Sequence, residues 1–198
     1  MHLGAPLREQ FSDFLRDVDG HWGGPAATLH LLGSTALFLR TPYQRGTKDG
    51  DVLRTRDLDE GGHSKRLLDI AGPDSALYQK HRMYLDLVSR NIPMLPPEPL
   101  WHVYDIDGLE HLEVRVLDVA DVCVSKLKRW TADDRDDVEA MIDLGHFDHA
   151  RVVERLREVI EVYWHEYPDH LQRMVGRFSE LERDWFLGVT KFRLPTAR

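Results

Sequence analysis

The apolar residues of this chain change period repeatedly, and that alternation limits what it can fold into. Leu7, Phe11, Phe14, Leu15 and Val18 recur at three- and four-residue steps, which predicts an amphipathic helix over 7–19 that stops before Gly20. A Gly23-Gly24-Pro25 turn follows, then Ala27 to Leu32 as an apolar run of strand length, then Ala36 to Leu39 as a short apolar helix. Gly33 and Ser34 therefore fall at a strand-to-helix junction. Asp49 to Leu53 reads as a second strand, 57–71 and 74–80 as helices, the latter entered from Pro73, and 83–88 as a third strand. That third strand is apolar apart from Asp86, and a buried strand rarely carries a carboxylate without a reason.

Pro93 to Pro99 is a loop that cannot join a central strand. Trp101 to Tyr104 and Leu112 to Val116 alternate as the arms of a hairpin, with Asp107-Gly108 as a turn pair. From Val119 the period is helical. Thr131 with Asp134 marks a helix start, Gly145 its end, and helices over 147–166 and 168–187 meet at Pro168. The pattern predicts an α/β fold, with a core over 1–145 and a C-terminal helical extension over 146–198 that packs on it.

Composition removes several classes. One cysteine, Cys123, supports neither a disulfide framework nor a thiolate zinc site and reads as a small apolar residue of a reducing compartment. Charges within the first thirty residues break up any signal peptide, and no eighteen apolar residues run together, so a soluble cytoplasmic protein with no membrane partner is expected. With 34 acidic against 26 basic residues the net charge is −8, which opposes coating of nucleic acid by charge alone. None of the eleven histidines forms an HxH, HxxxH or HExxH pair. Trp130, Trp164, Trp185, Tyr163 and Phe186 fall at packing intervals on helices and read as core.

The acids repay tracing. Asp49 and Asp51 are two apart on a predicted strand, so their carboxylates share a face and can hold hard cations such as magnesium, which takes its other ligands from phosphate and water. Upstream, Gly33 and Ser34 stand where free N–H groups and the helix dipole favour a phosphate chain. Asp86 on the next strand can complete a triad, with Glu113 as its competitor. Taken alone, Asp-x-Asp also occurs on solvated strands, Asp133 to Asp137 reads equally as an acidic helix start, and Lys126 and Lys128 as solvated.

The segments Leu31-Leu32-Gly33-Ser34-Thr35-Ala36-Leu37 and Arg45-Gly46-Thr47-Lys48-Asp49-Gly50-Asp51-Val52, with Val124 to Lys128 and Arg135 to Val138, resemble the minimal nucleotidyltransferases, specifically the AbiEii-like toxin nucleotidyltransferases and the related DUF6036 group. The resemblance spans about residues 27–145. It implies a nucleotidyltransferase fold, a small mixed sheet flanked by helices. It also implies transfer of a nucleotidyl group from a nucleoside triphosphate to an acceptor hydroxyl of RNA, tRNA or protein. On it, Asp49, Asp51 and Asp86 would bind two magnesium ions. Gly33, Ser34, Thr47, Lys128, Arg135 and Asp136 would bind or frame the nucleotide, with Arg45 shaping the loop, and Lys126 would neutralise triphosphate charge. A toxin role with a cognate antitoxin, in a toxin–antitoxin or phage-defence system, comes with the analogy. Gly50 departs from the pattern by standing where an apolar residue is usual, which leaves a catalytically inactive nucleotide-binding or interaction module as the alternative. An RNA acceptor would need a basic groove from Lys48, Lys65, Arg66, Lys126, Lys128 and Arg129. A lesser alternative is a haloacid-dehalogenase-like phosphatase, since Asp105 and Asp107 resemble its aspartate box.

Overall fold

A computed structural model describes residues 7–45 and 47–194, and the chain forms two compact units. The first takes residues up to Ile92 together with Trp101–Asp118; the second takes Pro93–Leu100 and the chain from Val119 on. The last two predicted helices of the 1–145 segment thus fall in the second unit.

The first unit opens with α1 (Leu7–Trp22), followed by β1 (Ala27–Leu31), α2 (Gly33–Arg40), β2 (Asp49–Leu53), α3 (Arg56–Asp59), a single 3₁₀ turn, α4 (His63–Ala71), α5 (Ala76–His81), β3 (Tyr84–Val88), β4 (Trp101–Val103) and β5 (Leu112–Leu117). The sheet is mixed, in the order β3-β2-β1-β5-β4. β1 runs antiparallel to β2 and parallel to β5, and β2 runs parallel to β3. β4 and β5 form the expected antiparallel hairpin. Its connection holds Gly108 at φ +89° and the exposed Asp105 and Asp107. A phosphatase box belongs at the end of a strand over a Rossmann-like sheet, so the aspartate-box reading loses its setting.

Period-two alternation puts Ala27, Leu29, Leu31, Val52, Leu85, Leu112, Val114 and Val116 in the core. α1 supplies Phe11, Phe14, Leu15, Val18 and Trp22. It runs past its predicted end, through Gly20 to Trp22, whose buried side chain lies beyond the expected stop. The Asp19 carboxylate accepts the main-chain N–H groups of Glu110, His111 and Leu112 at 2.9, 2.9 and 2.7 Å, tying α1 to the start of β5. The helix expected over 74–80 is instead displaced along the chain: Pro73 and Asp74 lie in the preceding turn, and Ser75 caps α5 by accepting from Tyr78 N.

Gly50 is the finding the sequence pattern made look like a defect. A Cβ there would stand 2.8 Å from Leu85 Cδ2 and 3.1 Å from Phe11 Cζ, both in the core. Phe11 occupies the volume that a side chain at 50 would need, so the strand is filled from α1 rather than loosened. Gly50→Ala is expected to cost about 1–3 kcal/mol by overpacking, measured as a lower denaturant midpoint at unchanged slope.

The second unit is helical: α6 (Val119–Arg129), α7 (Ala132–Asp143), α8 (His149–Tyr163) and α9 (Pro168–Trp185). Thr131 and Asp134 form the predicted capping box of α7, and Pro168 opens α9. Asp121 on α6 is fully buried and takes two hydrogen bonds from Arg155 on α8, at 2.6 and 3.0 Å. The same two side chains hold the proline-rich loop, through Leu100 N to Asp121 and Arg155 to Glu98 O. Arg177 on α9 donates to the carbonyls of Leu127 and Lys128, closing the end of α6. Cys123 and Trp164 are core as expected, whereas Trp185 is 40% exposed. Among the described residues no helix is long and apolar enough to cross a membrane.

Candidate active site

The site grows from the junction of β1 and α2. Leu32 occupies the N-cap of α2, and its apolar side chain makes no cap bond. Gly33 turns the chain at φ +65°, a left-handed conformation that favours glycine. Its position has a second cause: a Cβ on Gly33 would lie 2.2 Å from Asp51 Oδ2. The Asp51 carboxylate therefore rests directly against the helix-entry turn, and Leu32 N donates to Asp51 O at 3.0 Å. The turn and the Asp-x-Asp strand are one constellation.

Asp49 is held from two sides. The buried Thr35 hydroxyl on α2 donates to Asp49 O at 2.9 Å. Thr47 donates to the same carbonyl at 3.1 Å and also to the Asp49 carboxylate. Gly46, beside it in the sequence motif, lies outside the described residues. Asp49 and Asp51 share a face, with Gly50 and Val52 buried on the other.

β3 corrects one expectation. It is an edge strand, and Asp86 is exposed rather than buried. The register still sets Asp86 directly opposite Asp51, and Tyr84 opposite Asp49. Asp86 Oδ1 accepts the N–H of its own neighbour Leu87 at 2.9 Å. Tyr84 reports the local field: burial first, then the carboxylates of Asp49, Asp86 and Asp51, push its phenol above the usual tyrosine range. Glu113 pairs in register with Thr28 on the far side of β1 from β2, and its carboxylate is bound to Arg115.

Lys126, Lys128, Arg135 and Asp136 belong to the helical unit. Lys126 is not solvated: it is 5% exposed, 2.6 Å from Asp137 and 3.2 Å from Asp134, themselves 0% and 1% exposed. A triphosphate would compete with those two carboxylates for its charge. Lys128 is half-buried, and burial lowers its pKa. Arg135 is exposed and pairs with Glu139 and Asp184, and Asp136 is exposed. Of the six residues of the expected basic groove, Lys126 and Arg129 bind Asp134, and Arg66 donates to Trp22 O. The buried pair Asp134 and Asp137 went unread as a site feature. Its signal was the three-residue spacing on one helix face, eight residues after a lysine.

The described residues hold no group of three His, Cys, Asp or Glu side chains close enough to enclose a metal ion. Hard carboxylate oxygens beside a turn too tight for any Cβ still fit magnesium, which needs only one or two protein carboxylates when phosphate supplies the rest. Residues 16–185 match the family model described as a nucleotidyltransferase of unknown function, DUF6036. No curated protein and no solved structure matches the chain.

Proposed function

Because the chain belongs to the DUF6036 family of nucleotidyltransferases of unknown function, we propose that it is an active, magnesium-dependent enzyme that moves a nucleotidyl group from a nucleoside triphosphate to an acceptor hydroxyl. One observation carries the reading: the Asp51 carboxylate lies against Gly33, so a phosphate on the α2 entry turn and a cation on Asp49 and Asp51 meet at one point. In the proposal Asp49 and Asp51 hold the magnesium ions, and the Gly33 and Ser34 end of α2 receives the outer phosphates. Asp86, opposite Asp51, binds or orients the acceptor hydroxyl. Magnesium supplies charge neutralisation at the attacking and leaving oxygens of an in-line displacement. The chain supplies position, through Thr35 and Thr47 on Asp49.

The filled volume at Gly50 supports an active member over an inactive one, since the glycine costs the strand no packing. We take the acceptor to be RNA. The setting proposed, by the resemblance to AbiEii-like proteins, is a toxin held in check by an antitoxin, and growth arrest on induction tests it.

The biochemical test is incubation with each α-labelled nucleoside triphosphate, magnesium and total cellular RNA. The expected result is label in RNA, dependent on magnesium. Asp49→Asn with Asp51→Asn is expected to lower it at least about 1,000-fold, the scale of a lost electrostatic stabiliser. Magnesium-independent labelling, or none with any of the four nucleotides, refutes the proposal.

A further inference from the structure

The strand order gives the proposed reaction a direction. β1 and the entry turn of α2 lie on one side of the Asp49 and Asp51 strand, and β3 lies on the other. In an in-line displacement the attacking and leaving oxygens stand on opposite sides of the α-phosphorus. With pyrophosphate leaving toward Gly33 and Ser34, the acceptor hydroxyl arrives over β3.

What β3 presents there is Tyr84. It sits on the same face as the acids, in register with Asp49 and two residues before Asp86. It is half-buried, and its ring meets Tyr78 of α5 edge-on, with centroids 5.6 Å apart at 87°. An edge-to-face partner fixes a ring while leaving a face for another plane to lie on. Two exposed cations stand near it along the backbone. Lys48, whose carbonyl accepts the Tyr84 N–H at 2.9 Å, precedes Asp49, and Arg82 ends α5. Among the described residues neither makes an ion pair; Arg82 reaches only the Gln79 amide oxygen.

Resting on the nucleotidyltransferase reading, we infer that Tyr84, braced by Tyr78 and with Lys48 and Arg82 near it along the backbone, is the acceptor subsite, on which the unpaired terminal base of a single-stranded RNA stacks. A tyrosine ring is the plane on which single strands stack a base, and Lys48 and Arg82, near Tyr84 along the backbone, offer charge to phosphates. A serine, threonine or tyrosine of an acceptor protein brings neither a base nor a phosphate to such a surface. With the terminal base on Tyr84, its ribose hydroxyl faces Asp86 and Asp49. That oxygen forms a bond to the α-phosphorus of the triphosphate, the bond from that phosphorus to the bridging oxygen breaks, pyrophosphate leaves, and the hydroxyl proton passes to Asp86.

The test uses full-length protein, a fluorescein-labelled short single-stranded RNA read by anisotropy, and magnesium-nucleotide binding read by thermal shift. Tyr84→Ala is expected to weaken RNA binding about tenfold, the scale of one lost stacked base, with the nucleotide shift unchanged. Tyr84→Phe, which keeps the ring face, is expected to bind as the parent protein does. Equal RNA affinity in Tyr84→Ala, equal loss of nucleotide binding, equal competition by duplex RNA, or transfer of label to protein in place of RNA overturns the subsite while the enzyme reading stands. Absence of magnesium-dependent nucleotide binding in the parent protein removes both.

Discussion

Gly33→Ala is expected to lower nucleotidyl transfer at least about 100-fold, the scale of an ångström-sized misplacement at a reacting centre, while the protein stays folded. Two costs coincide at that position. The backbone is at φ +65°, where a side chain is strained, and the new Cβ would stand 2.2 Å from Asp51 Oδ2. The half-exposed turn can shift to relieve both, but any shift parts the N–H groups proposed to bind phosphate from the acid strand. The measurement is initial rate of label transfer alongside far-ultraviolet circular dichroism. Retained activity with retained fold would mean that the turn and Asp51 do not act together.

The second large effect lies in the helical unit. Lys126→Ala leaves the carboxylates of Asp134 and Asp137 buried with their shared cation gone, and removing one partner of such a cluster typically costs about 3–5 kcal/mol. Chemical denaturation followed by helical circular dichroism reads it, and Asp137→Asn in the same chain is expected to restore part of the loss. The cluster also carries a pH signature. Burial alone would raise the Asp134 pKa, but Arg129, Lys126 and the Thr131 cap outweigh it and hold the group well below the usual carboxylate range. A folded-state pKa below the unfolded one gives stability that is complete above about pH 4 and drains away as pH falls through that range. Asp134→Asn is therefore expected to be less stable than the parent protein at neutral pH, with the difference narrowing in acid.

These two cases mark what a sequence can and cannot disclose. The bounds of β2, the Gly33 and Ser34 junction, the β4 and β5 hairpin and the Thr131 cap are local events, written in period, turn chemistry and spacing. Asp19 meets its amides more than ninety residues away, and nothing near it in the chain announces a partner. Period likewise says that β3 is a strand but not that it ends the sheet, so Asp86 was expected in the interior and stands at the rim. The Lys126 cluster fell between the two kinds. Its members are near in sequence, but a helix break separates the lysine from its acids, and a charged run by itself reads as a solvated face. Gly50 was legible as an anomaly and explicable only once Phe11 was found beside it.

The bond from Leu87 N–H to Asp86 has an outcome unrelated to phosphates. Tyr84 N and Val88 O are spent on Lys48 and Arg54, which flank β2, so the alternate residue Leu87 turns its amide away from β2, toward the side where no further strand lies. An open amide on a rim rich in Leu and Val invites another chain to add on, and a charged side chain that claims it blunts that tendency. Asp86 is then expected to guard against self-association as well as to serve the proposed acceptor site. Asp86→Ala is a poor choice for an inactive control, since a fall in activity could come from clumped protein. Asp49→Asn, away from the rim, separates the two.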